Sequence, residues 1–71
     1  MKLDHSPGLY AIECLSTGKL YIGSTMDMYD RQYQHWWHLG AGKHPNPKFQ
    51  RAWDKYGEDQ FMFHVLLRVP G

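Results

Sequence analysis

The sequence predicts an α+β fold, a small three-stranded antiparallel sheet with helices packed against it in the order β-β-α-α-β. Three observations predict it: two β-rich runs near the start flank a short Gly-containing loop, two capped segments with helical apolar spacing follow, and an alternating apolar run comes last. At 71 residues the chain holds one domain, taken as 1–71, and its core is small for its surface. Cys14 is the single cysteine, so no intramolecular disulfide reinforces it. Aromatic packing is the expected substitute, since Trp, Tyr and Phe make up 15% of the residues and bury large areas per side chain.

The first strand is Leu9 to Leu15 and the second Leu20 to Thr25, joined through Ser16-Thr17-Gly18-Lys19. A turn centred on Thr17-Gly18 sets Leu15 opposite Leu20 and Cys14 opposite Tyr21. Side chains alternate along strands, so Tyr10, Ile12 and Cys14 share a face with Tyr21 and Gly23, while Leu9, Ala11, Leu15, Leu20 and Ile22 share the other. The aliphatic face is the expected core, with Glu13 its one misfit.

Asp27 caps a helix running to about Leu39, stopped by Gly40 and Gly42. Tyr29, Tyr33, Trp36 and Trp37 fall on one broad side, expected to pack. Arg31, His35 and His38 cluster within roughly 60° on the other, expected to be free for chemistry. Lys43-His44-Pro45 leads to Asn46-Pro47, an N-cap followed by N1 proline that opens a second helix. Phe49, Ala52, Trp53 and Tyr56 form its apolar stripe, Gly57 its stop, and Lys48, Arg51 and Lys55 a basic ridge opposite. Gln60 to Val69 is the third strand, with Phe61, Phe63, Val65 and Leu67 on one face and His64 and Arg68 on the other.

A formal net charge of +1 gives no global case for nucleic acid, so any such case rests on where the cations sit. No run approaches the roughly 20 apolar residues of a membrane span, and Met1 to Gly8 lacks the apolar centre of a signal peptide, so a cytoplasmic location is expected. Three constellations carry chemistry. Tyr10 and Tyr21 place two phenols on one sheet face, and Arg31 nearby would stabilise a tyrosinate or the charge of a phosphorane-like transition state. Arg31, His35 and His38 lie at i, i+4 and i+7; a solvated helix face has the same spacing. A zinc set of His35 and His38 with Cys14, His44 or His64 is a further alternative, without a zinc-binding sequence pattern behind it. Lys48, Arg51 and Lys55, with Lys43 and His44 just before them, offer phosphate contacts of a sequence-independent kind, or simply a solvated ridge.

Taken together, Gly8-Leu9-Tyr10, Tyr21-Ile22-Gly23-Ser24-Thr25, Arg31 four residues before His35, Gly42-Lys43-His44 and Phe49-Gln50-Arg51-Ala52 resemble the GIY-YIG endonuclease family. Lys55-Tyr56-Gly57 and Phe61 resemble its homing-endonuclease branch. The resemblance implies metal-assisted hydrolysis of a DNA phosphodiester. Tyr10 would activate or orient the attacking water, Tyr21 would hydrogen-bond within the site, Arg31 would stabilise the scissile phosphate, and His35 and His44 would support them. Lys43, Lys48, Arg51 and Lys55 are the residues expected to contact DNA. The cofactor implied is Mg²⁺ (or Mn²⁺), which the family holds through a glutamate on a helix after the third strand. No carboxylate here matches that position, so a further C-terminal segment or a second subunit is expected to complete the site. A catalytically inactive nucleic-acid-binding or interaction module on the same fold is the alternative function.

Overall fold

A computed structural model describes residues 4–69. Residues 1–3, 70 and 71, the ends of the expected 1–71 domain, lie outside the described residues. The elements are β1 (Gly8–Cys14), β2 (Leu20–Thr25), α1 (Met28–Gly40), α2 (Pro47–Tyr56), a 3₁₀ turn (Glu58–Gln60) and β3 (Phe61–Arg68). The sheet is antiparallel with order β2-β1-β3, so β1 is the central strand. The predicted order and element types hold throughout.

The hairpin register differs from the expected one by two residues. Glu13 faces Leu20 and Ile12 faces Tyr21, because the Leu15 N–H turns to the Gln60 carbonyl at 2.7 Å and a five-residue loop replaces the tight turn. Within that loop the Cys14 carbonyl accepts from Thr17 and Gly18 N–H groups, with Gly18 at a φ of +75°. A shift of two preserves which residues share a face.

What changes is the face that is covered. Tyr10, Ile12 and Cys14 point into the core with Met28 and Leu39 of α1, Phe49 and Trp53 of α2, and Phe61 of β3. Both helices therefore pack on the tyrosine face, and the expected aliphatic core is the outer face of the sheet. There Leu9, Leu15, Leu20 and Ile22 are exposed, Ile22 at 67%. Ala11 alone is buried on that side, between the longer side chains of its cross-strand neighbours Ile22 and His64. Glu13 is consequently no misfit: it meets His64 Nε2 at 2.8 Å on the open face.

A bulge corrects the expectation for β3. Leu9 pairs with Leu67 but Tyr10 with Val65, so Leu66 is the extra residue and the alternation reverses beyond it. Phe61, Phe63 and Val65 point inward as expected, whereas Leu67 joins Leu9 outside, 53% exposed.

Both helices start where predicted. The Asp27 carboxylate accepts from Asp30 N–H, and the Ser6 and Asp4 carbonyls accept from Met28 and Tyr29 N–H, which ties α1 to the chain leading into β1. Asn46 Oδ1 accepts from Lys48 and Phe49 N–H, and Pro47 opens α2. The stripe of α2 behaves as read, but α1 is rotated from its expected orientation. Tyr29, Tyr33 and Trp37 are exposed, while Met28 and Leu39 are buried and Gln32, His35 and Trp36 are half-buried along the inward line. The helix thus presents His35 and Trp36 to the sheet together. No helix of the described residues is long and apolar enough to cross a membrane.

Phe49 joins the layers. Its ring, 1% exposed, lies 4.2 Å from Tyr21, 4.8 Å from His44 and 5.6 Å from Phe61, centroid to centroid. Phe49→Ala is expected to cost about 3–5 kcal/mol, comparable with the whole stability of a domain this small. Urea denaturation followed by circular dichroism checks this; a loss under about 1 kcal/mol would contradict the role given to the ring.

Candidate active site

Tyr10 stands on the central strand, stacked on Phe63 at 5.0 Å with the rings 12° apart, and is 7% exposed. Beside it lies Gly23 of β2, its cross-strand partner. A Cβ on Gly23 would fall 2.5 Å from the Tyr10 hydroxyl and 2.7 Å from its Cζ, so only glycine leaves room for the phenol. Gly8 carries a comparable constraint at the start of β1, where a Cβ would overlap the Leu67 carbonyl oxygen.

Tyr10 Oη lies 2.8 Å from His35 Nε2, and His35 Nδ1 lies 2.8 Å from His44 Nε2. His44 Nδ1 accepts from the Asn46 N–H at 3.1 Å. The helix residue and the loop residue named by the sequence thus meet in one hydrogen-bonded line that ends on the strand tyrosine. His44 is held in place by Gln50: its Oε1 accepts from His44 N–H at 3.0 Å, while its Nε2 donates to the Leu39 carbonyl and Asp54 Oδ1, each at 2.9 Å. Gln50 is a functional position that the sequence presents only within the run Phe49-Gln50-Arg51-Ala52.

A cavity of about 350 Å³ opens over this line, bordered by Arg31, Gln34, His35, His38, Lys43, His44 and Pro45. Gln34 and Pro45 were not anticipated. Arg31 Nε is buried and has no hydrogen-bond partner among the described residues. Tyr21 remains apart from the hydrogen-bonded line: it stacks on Phe49, with Lys19 Nζ 5.6 Å from its ring centre, and its hydroxyl makes no hydrogen bond among the described residues. Lys43 borders the cavity. Lys48, Arg51 and Lys55 are exposed on α2 but outside the cavity lining, with Arg51 Nε turned to the Pro47 carbonyl and Lys55 over Tyr56.

Burial sets the protonation states. The Tyr10 phenol is raised above its ordinary value by burial, which outweighs the opposing pull of Arg31, so the expected stabilisation of a tyrosinate is only partial. Burial also raises the Tyr21 phenol. His35 falls from 6.5 to about 4, first through burial and then through the charges of His44, Arg31 and His38. His44 is lowered as well, by burial and by His38. Both rings are neutral at neutral pH.

The zinc set is not assembled. Cys14 is buried in the core, His64 pairs with Glu13 on the outer face, and His38 Nδ1 lies 2.7 Å from the Gln34 carbonyl. Among the described residues no three His, Cys, Asp or Glu side chains could hold a metal ion together. The divalent cation implied by the resemblance does not fit them either. A hard cation takes oxygen donors, and the cavity is bordered by nitrogen bases and cations.

The sequence pattern of the GIY-YIG catalytic domain matches residues 6–66. The chain belongs to the GIY-YIG endonuclease family. Intron-associated endonuclease 1 of Enterobacteria phage T4 is 33% identical over 63 residues, 89% of this chain and 25% of the phage protein. Two solved structures share the fold with a TM-score of 0.84. One, a mutant of the catalytic domain of intron endonuclease I-TevI, is 32% identical and aligned over 92% of this chain and 66% of its own. The other, the catalytic domain of homing endonuclease I-TevI, is 31% identical over 90% of this chain and 68% of its own. This GIY-YIG chain therefore spans about a quarter of the phage relative and about two thirds of the solved catalytic domains.

Two predictions follow from the packing and protonation of this GIY-YIG site. The unfolded chain protonates His35 near 6.5 and the folded chain only near 4, so folding stability is lost as pH falls through that window, with a slope below about 1.4 kcal/mol per pH unit. Thermal midpoints recorded between those limits should drop, and His35→Gln should flatten the curve; a parallel curve for the variant would count against it. Gly23→Ala should move the Tyr10 ring by its clash, visible as a shift of the Tyr10 ring resonances, whereas unchanged resonances would show that the pocket yields elsewhere.

Proposed function

We propose that this chain is a DNA endonuclease domain that hydrolyses phosphodiester bonds at the cavity bordered by Arg31, His35, Lys43 and His44. The observation that carries the proposal is that Arg31 and Lys43 border one cavity together with His35 and His44 of the Tyr10–His35–His44 line. A guanidinium at a cavity edge is well suited to a phosphate, whose oxygens accept its N–H groups in a planar fork. Arg31 would hold the nonbridging oxygens of the scissile phosphate and stabilise the charge gained as water attacks phosphorus and the P–O bond breaks. Tyr10 would orient that water, with His35 and His44 fixing its hydroxyl. Tyr21 would offer its free hydroxyl to the substrate or to water. Lys43 would contact the neighbouring phosphate, and Lys48, Arg51 and Lys55 the backbone beyond, without reading bases.

Mg²⁺ or Mn²⁺ is the cofactor to supply in a test, although no step is assigned to it, since the described residues do not form its site. That misfit favours a second reading, a nucleic-acid-binding module on the same fold without catalysis. Its partner would be DNA in either case.

Plasmid nicking by the purified chain with Mg²⁺ or Mn²⁺ separates the two. Nicking that falls about 100- to 1000-fold in Arg31→Ala, and strongly in Tyr10→Phe, is the expected result; an Arg31→Ala variant that nicks like the parent would sink the assignment. Alanine at Lys48, Arg51 and Lys55 together should weaken DNA binding and reduce the log–log salt slope by about 2 to 3. An unchanged slope would leave the ridge without a role.

A further inference from the structure

The hydrogen-bonded line to Tyr10 has a direction that its backbone end imposes. The Asn46 amide can only donate, so His44 Nδ1, 3.1 Å away, must present a lone pair. A proton there would face the amide hydrogen. Neutral His44 therefore carries its proton on Nε2 and donates it to His35 Nδ1 at 2.8 Å. Neutral His35 in turn carries its proton on Nε2 and donates to Tyr10 Oη, also at 2.8 Å. Burial lowers both rings, aided at His35 by the charges around it and at His44 by His38, against an opposing contribution from the Asn46 backbone at His44.

We propose that Asn46, His44, His35 and Tyr10 form a one-way donor relay in which His44 is a positioning residue that sets the tautomer of His35. Tyr10 Oη is then the acceptor of the pair, and its own proton points away from His35. The consequence for chemistry is specific. His35 does not take the proton of Tyr10, because its Nε2 already carries one and its Nδ1 is occupied by His44. Tyr10 acts instead as a donor to whatever stands in front of it, or, when ionised by loss of its proton to solvent, as a phenolate held by the His35 N–H. The relay rests on the proposed nuclease activity only for what Tyr10 then acts upon.

The test begins with histidine ring ¹⁵N–¹H long-range correlation spectra of the labelled chain at neutral pH, which read tautomers directly and need no substrate. Both His35 and His44 are expected as Nε2–H tautomers; a Nδ1–H tautomer or a charged ring at either residue overturns the proposal. Two variants follow. His44→Leu removes the donor to His35 and should leave His35 a mixture of tautomers, with nicking lowered at least about tenfold, as loss of the correct histidine tautomer does in other hydrolases. His44→Gln returns an amide donor near the same place and should restore the Nε2–H tautomer and most of the rate. If His35 keeps a single Nε2–H tautomer in a folded His44→Leu chain, His44 does not set it and the proposal fails. Correct tautomers in a parent chain that cuts no DNA would uphold the relay and count against the nuclease activity instead.

Discussion

The sheet of this domain has one covered face, and Tyr10 stands in the middle of it. Its ring is held between Phe63 and the bare backbone of Gly23, within the same cluster that contains Ile12, Cys14, Leu39 and Phe49. Core and site are therefore one structure. In many domains a site is carried on loops above an independent core, but here one small buried cluster serves both. Phe49 illustrates the economy: it contacts both histidines of the line as well as Tyr21 and Phe61, so the ring that closes the core also sets the floor beneath the site. Loosening the packing would misplace the hydrogen bonds by the same movement.

This shared interior gives physical content to the glycines and tyrosines of the family motifs. Gly8 faces a carbonyl of β3 and Gly23 faces the Tyr10 phenol, so each glycine is a place where another group comes closer than a methyl allows. Tyr10 and Tyr21 point inward from adjacent strands. The middle residues, Leu9 and Ile22, point outward and are exposed, which explains why leucine can stand in the first motif where the family has isoleucine. Neither side chain takes part in the core.

Much of the architecture was legible in the sequence because its signals were local. Asp27 and Asn46 cap their helices as read, and the stripe from Phe49 to Tyr56 packs as its spacing implied. Alternation of period two likewise established which strand residues travel together. It could not establish which face is covered, since both faces of the hairpin carry large apolar side chains and the choice is made by the helices. The same limitation misled the reading of α1, where the bulkier aromatic side was assigned to the core although a narrower line through Met28, Trp36 and Leu39 fits against the sheet. At β3, the bulge at Leu66 depends on pairing with β1 and has no signature in β3 alone. The site residues were found by resemblance, and their meeting was not: the contact of His35 with His44 depends on a loop whose path is set by side-chain hydrogen bonds of Gln50 and His44 that leave no periodic pattern in the sequence.

A near-neutral chain can still gather basic groups around one cavity, and those groups divide the labour. Burial strips charge from His35 and His44, so these rings supply directed hydrogen bonds rather than positive potential. Arg31 differs from them in kind, since a guanidinium carries a delocalised positive charge. The positive charge at the cavity is thus carried by Arg31, whose field reaches the Tyr10 phenol, and by Lys43 at the edge. Leaving the Arg31 Nε buried without a partner costs on the order of 1–3 kcal/mol, a substantial debit for a domain of this size.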